Sequence, residues 1–125
     1  MREDGPFKKD LPERTFEFAR RVVKLCQTLD QTPGVSRSLA SQLLRSGTSV
    51  GANVEEAQSG QSRADFLSKI SIACKEARET HYWLRLLAAV RLIPEPRLSP
   101  LLNETDELIA ILTTIVRRTK ENKDE

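Results

Sequence analysis

The side chains able to do covalent or acid–base chemistry are few. There is one imidazole, His81, two thiols, Cys26 and Cys74, and no concentrated cluster of carboxylates. A serine or cysteine nucleophile needs a positioned base, and one histidine serves at most one such site. A di-iron site in a helical bundle needs two Glu-x-x-His pairs. One histidine cannot make two pairs, and the residue three before it is Arg78. Glu55 and Glu56 are adjacent, so on a helix they point about 100° apart, which is poor geometry for shared proton transfer. Neither Gly-x-x-x-x-Gly-Lys-[Ser/Thr] nor Gly-x-Gly-x-x-Gly occurs. The cysteines are far apart and lack a Cys-x-x-Cys pair, so they read as buried, reduced thiols. The expectation is a protein that is not an enzyme, with no cofactor, no metal and no small-molecule substrate.

Binding chemistry is better represented. Gln42, Ser46, Ser49, Asn53 and Glu56 recur at spacings of four and three, which lines five polar groups along one helix face. Beside them run Leu43, Gly47, Val50, Val54 and Ala57, with Gly47-x-x-x-Gly51 allowing a neighbouring helix to approach closely. Solvated faces favour Glu and Lys, so a line of small uncharged groups predicts a helix–helix contact bonded across the interface. A second line, Lys75, Arg78, Tyr82 and Arg85, interleaves cations with an aromatic, as a phosphate-tracking surface does. Arg20, Arg21 and Lys24 add to the candidate nucleic-acid contacts. The alternative is that the basic line pairs with Glu55, Glu56, Glu76 or Glu79. Arg117, Arg118 and Lys120 suit the end of a helix, where cations complement its dipole.

Four helical segments must position these groups. Residues 1–14 form a charged, Pro-containing leader. From Thr15 to Leu29 the row Phe18, Val22, Leu25 and Leu29 marks one buried face, which Phe16, Ala19, Val23 and Cys26 widen. Asp30 to Gly34 is a loop. A second helix spans 36–58 with Ser36 as N-cap. A third spans 62–92, opened by Ser62 with Asp65 three residues on and closed by Ile93-Pro94-Glu95-Pro96. The fourth spans 97–119 with Ser99-Pro100 as its cap and first residue, Glu95 being the alternative start. Residues 120–125 form a fraying tail. No stretch alternates with period two. The fold expected is an all-α, antiparallel up-down-up-down four-helix bundle in a single domain.

Composition agrees. The chain is 38% hydrophobic and 30% charged, with a net charge of +2, which suits one globular domain and is too balanced to announce nucleic-acid binding alone. No apolar run reaches the length of a membrane span, and the start lacks a secretory signal, so a cytoplasmic protein without membrane contact is expected. The third and fourth helices carry more apolar surface than one bundle stripe requires. Ile72, Trp83, Leu86 and Val90 lie off the core row of helix three, and Leu102, Ile109 and Val116 form a second row on helix four. These are the candidate contacts between identical copies.

The run from Gln42 to Glu56, QLLRSGTSVGANVEE, resembles the hallmark of a bacterial family of four-helix bundle proteins. These are also called large-subunit ribosomal RNA intervening-sequence proteins. Gln42, Arg45, Ser49, Asn53 and Glu56 match its pattern. Ser62, Phe66, Ile72-Ala73 and Glu79 fall where the family places its helix-three residues, and Leu92-Ile93 where that helix ends. Ala57 replaces a usual Gly, and Lys75-Glu76 replaces a common Gly-Ser. The resemblance covers residues 16–119 and implies a bundle that assembles as a homopentameric ring or barrel. Related proteins include the accessory subunit of diversity-generating retroelements, which binds a reverse transcriptase and nucleic acid. The partners so implied are further copies of the chain, and RNA, DNA or a nucleic-acid-handling protein. A purely structural, protein-scaffolding module is the alternative.

Overall fold

The computed structural model describes residues 10–122. Four helices follow one another: α1 (Leu11–Leu29), α2 (Val35–Gln58), α3 (Arg63–Ala89) and α4 (Glu95–Glu121). Among the described residues there is no strand. Short connections make successive helices antiparallel, and the seams α1–α2, α2–α3 and α3–α4 are extensive, while α1 touches α4 sparsely. The expected all-α, single-domain bundle is the fold observed. No helix among the described residues is long and apolar enough to cross a membrane.

The helix ends show where local chemistry overrode the expected boundaries. Residues 1–9 of the expected leader lie outside the described residues, but Asp10 to Arg14 are structured. Asp10 caps α1 by accepting the Glu13 backbone N–H at 2.8 Å, and Pro12 sits in the first turn, where its missing N–H costs nothing. Thus α1 begins at Leu11, a turn before Thr15. Ser36 is not an N-cap. Gly34, at φ 93°, precedes the first turn of α2, and the Ser36 hydroxyl donates to the Leu29 carbonyl at 2.7 Å, tying the α1–α2 turn.

Ser62 caps α3 as expected, accepting from Asp65 N at 3.1 Å. That helix stops at Ala89 rather than Leu92 because Arg91 turns left-handed, at φ 62°. This sends the Leu92 N–H back to the Leu87 carbonyl at 3.1 Å, a Schellman closure. In α4 the helix starts at Glu95, so Ser99 and Pro100 lie inside it, and Ser99 donates back to the Glu95 carbonyl at 3.1 Å. The helix runs on through Lys120 and Glu121, and residues 123–125 of the expected tail lie outside the described residues.

Among the described residues the interior is aliphatic around one buried phenylalanine, Phe18. Val22, Leu43, Val50, Val54, Ile70, Leu84, Leu87, Leu98, Leu108 and Leu112 are fully buried with it. The row Leu43, Gly47, Val50, Val54 and Ala57 of α2 faces inward, and on α3 Ile70, Ala73, Ala77, Leu84 and Leu87 do the same. Gly47 and Gly51 do let a helix approach, and that helix is α1. A Cβ on Gly47 would lie 2.7 Å from a Val22 methyl, and one on Gly51 would lie 3.1 Å from the Thr15 carbonyl oxygen.

Candidate binding surfaces

The polar line of α2 divides into three parts. Ser46 is buried, and its hydroxyl shares a hydrogen bond 2.9 Å long with Thr80 of α3, the cross-helix bond expected. Arg45 also reaches α3, where its guanidinium meets Glu79 and lies 3.3 Å from Glu76 while holding Gln42 at 3.1 Å. Trp83 completes this network by donating its indole N–H to Glu79 at 3.0 Å. Ser49 and Asn53 do not bridge. Asn53 donates to the Ser49 hydroxyl and carbonyl within α2, at 3.0 and 2.9 Å. Glu56 is exposed and has no ion pair among the described residues. Of the motif residues Gln42, Arg45, Ser49, Asn53, Glu56 and Glu79, the structure therefore gathers Gln42, Arg45 and Glu79.

The basic line stands open. Lys75, Arg78, Tyr82 and Arg85 are all exposed on the outer side of α3. Among the described residues none of the three cations has a carboxylate within ion-pair distance. Arg78 donates to the Thr113 hydroxyl at 3.3 Å, and the Arg85 guanidinium lies over the Tyr82 ring, 5.9 Å from its centre. Tyr82 in turn packs edge-on against Trp83, with ring centres 5.1 Å apart. The pairing considered with Glu76 and Glu79 does not form, because Arg45 occupies both. Arg20, Arg21 and Lys24 do not join this line. Arg20 is tied to Glu17 at 2.7 Å, whereas Arg21 and Lys24 line the α1–α4 groove with Arg97.

The surplus apolar rows are placed unevenly. Trp83, Leu102, Ile109 and Val116 are half-buried and pack against the core, and Ile72 and Leu86 are half-buried as well. Val90 is 53% exposed. Further open apolar side chains lie outside those rows, on α1 and α2. Phe16 is 64% exposed, Leu44 is 41% exposed and Val23 is 36% exposed. Phe16 and Val23 therefore do not widen the buried stripe of α1 as their spacing suggested. The bundle buries the Thr15–Phe18–Val22–Cys26–Leu29 row, with Leu25 half-buried against it, and α2 leaves Leu44 beside the exposed pair. A groove of about 430 Å³ runs there between Val23, Cys26, Ala40 and Leu44. The sequence signal was present, since Phe16 and Val23 are seven apart and off the core row, but nothing local says which row the bundle buries.

The groups with catalytic potential serve packing. Cys26 donates to the Ala40 carbonyl at 3.4 Å, and burial, with the charge of Asp30, pushes its thiol from 9.0 up to about 11. Cys74 lies 3.4 Å from the Thr113 hydroxyl. His81 Nε2 is 2.9 Å from Asp106, joining α3 to α4. Among the described residues no three His, Cys, Asp or Glu side chains converge as a metal site would need.

The comparisons with known proteins agree with this architecture. The model of the 23S rRNA-intervening sequence protein family matches residues 9–114. A solved structure from Bacteroides thetaiotaomicron, described as a protein of unknown function from the S23 ribosomal protein family, is 41% identical, with a TM-score of 0.79. That match covers 86% of this chain and 98% of the other. No curated protein matches the chain. With four antiparallel helices, the Gln42–Arg45–Glu79 network and a family match over most of its length, the chain belongs to the 23S rRNA-intervening sequence protein family.

Proposed function

We propose that this chain is a non-enzymatic binding module that works as a homo-oligomer, a ring of identical bundles presenting one composite surface to a macromolecular partner. The observation that carries this reading is the apolar surface one copy leaves in water. Phe16, Leu44, Tyr82 and Val90 are each more than two-fifths exposed, on two different sides of the bundle. The family resemblance supports five copies. Light scattering at several concentrations tests it: a mass several times 14.1 kDa is expected, and a monomer at every concentration would refute it.

A second observation favours a nucleic acid or nucleoprotein as the partner. Arg21, Lys24 and Arg97 converge on the α1–α4 groove and have no ion pair among the described residues. A ring multiplies that cationic groove around its rim, which suits a phosphate backbone. RNA binding that falls steeply with salt, and is weakened by Arg21→Glu with Lys24→Glu, is the expected result. Binding indifferent to salt would point instead to a protein partner and a purely structural scaffold.

A further inference from the structure

We infer that copies of this chain join head to tail, the acid-rimmed apolar face of α1–α2 on one copy seating against the basic, aromatic outer face of α3 on the next. The inference rests on the homo-oligomer reading and adds to it which surfaces meet and what symmetry results.

The first face has Phe16, Val23 and Leu44 exposed along it. At its lower end Phe16 is surrounded by Pro12, Glu13, Glu17 and Glu55. Glu17 is engaged with Arg20. Glu13 and Glu55 are exposed and have no ion pair among the described residues. The second face carries Lys75, Arg78 and Arg85, equally open, around Tyr82, with half-buried Leu86 and exposed Val90 further along. One face is apolar with spare negative charge, and the other is aromatic with spare positive charge. Each lacks inside its own subunit what the other supplies.

Their heights along the bundle also match. Ser46 bonds Thr80 across the antiparallel α2–α3 seam, so Leu44 stands level with Tyr82. By the same register Glu55 stands about one turn below Lys75. Thr15 meets Gly51 and Val22 meets Gly47, which brings Phe16 near the height of Lys75 and Val23 near that of Tyr82. Turning a second copy about an axis parallel to the helices therefore sets acid against base at one end. The same turn sets Val23 and Leu44 against Tyr82 and Leu86 at the other. Inverting the second copy would leave Glu13 and Glu55 facing Arg85 alone and set Lys75 and Arg78 against the apolar Val23 and Leu44. A contact that keeps both copies upright and uses two different faces is heterologous, and it closes into a ring when the rotation per subunit divides a full turn.

The test uses the full chain and two double variants at exposed positions. Phe16→Gln with Leu44→Gln disables the first face by removing its apolar contacts without adding charge, and Arg78→Glu with Arg85→Glu disables the second. Circular dichroism and thermal melting verify that each still folds. In sedimentation velocity each double variant alone is expected to run as a monomer. An equimolar mixture is expected to give one-to-one heterodimers, because a single intact pair of faces remains between the two kinds. Assembly of the Arg78→Glu/Arg85→Glu variant as the unmodified chain assembles would overturn the inference. So would a mixture containing no heterodimer, or a loss of RNA binding in that variant with assembly untouched. If the unmodified chain itself is monomeric, the homo-oligomer reading fails first, and that result is distinct from all three.

Discussion

The indole N–H of Trp83 donates to a Glu79 oxygen at 3.0 Å, and the Arg45 guanidinium from α2 binds the same oxygen. One carboxylate on α3 thus orients the chain's single tryptophan and bridges to the neighbouring helix. Glu79→Ala removes both bonds and is expected to cost about 1–2 kcal/mol. Because Trp83 is the sole tryptophan, its fluorescence reads the change directly. Emission should move to longer wavelength in the folded variant, whereas Glu76→Ala should leave it in place.

The α1–α2 seam depends on Gly47 having no side chain. An added methyl would sit 2.7 Å from a Val22 methyl that is itself fully buried. Gly47→Ala is therefore expected to destabilise by about 1–3 kcal/mol despite the better helix propensity of alanine. Adding Val22→Ala removes the clashing atoms, so the double variant should be more stable than the sum of the two single costs. Urea denaturation of the four proteins measures that coupling.

Closure of the bundle between α1 and α4 relies on Arg14. Its guanidinium binds Glu104 in a two-pronged fork at 2.7 and 2.9 Å and also takes Glu107 at 2.5 Å. The Arg14 and Glu104 side chains are only 17% and 18% exposed, so solvent screens this pair less than a surface ion pair. The hydrogen bond to Glu104 is the main reason the guanidinium is held above its already high ordinary range. Glu104→Gln should lower stability by about 1–2 kcal/mol. Hydrogen exchange should quicken along α1 before it does in α3, since α1 has few other ties to α4.

Alkaline stability is governed in part by Cys26. Its thiol keeps its proton up to about 11 in the folded chain, against 9.0 for the exposed group. Between these values the unfolded chain loses a proton that the folded chain retains, so stability falls as pH rises through that window. Cys26 contributes a slope of at most about 1.4 kcal/mol per pH unit, one proton's worth. Unfolding followed by circular dichroism from pH 8 to 11 should show the decline, and Cys26→Ala should flatten it.

Arg91 closes α3 in the left-handed region, where a side chain is strained. Arg91→Gly keeps the Schellman bonds and relieves that strain, so it should raise stability by about 0.5–1 kcal/mol. A rise in melting temperature is the readout. Arg91→Val should lower it, since a β-branched residue tolerates that backbone least.

The polar line of α2 shows how much of a surface can be read before a structure exists. Spacing alone placed Ser46 in a line expected to meet another helix, and it bonds Thr80 of α3; Arg45, singled out only by the family resemblance, reaches α3 as well. The same spacing put Ser49, Asn53 and Glu56 on that side, yet these make no bond across it. A periodic pattern gives the direction of a side chain but not whether a partner stands opposite. The opposite residue depends on the register between two helices, which Ser46–Thr80 and Arg45–Glu76 set here.

Helix periodicity, Pro and Gly punctuation and the shortness of the connections determined four antiparallel helices, because each is a local property of the chain. The inward row of α2 was legible for the same reason. Which of two apolar rows on α1 would be buried was decided only when α1 came to rest on Gly47 and Gly51 of α2. That choice leaves Phe16, Val23 and Leu44 in water. The freedom of Lys75, Arg78 and Arg85 was likewise settled in three dimensions, since Arg45 of another helix engages the carboxylates they would otherwise have met. Burial and charge pairing are relations between elements, so they are fixed by packing rather than by any one segment.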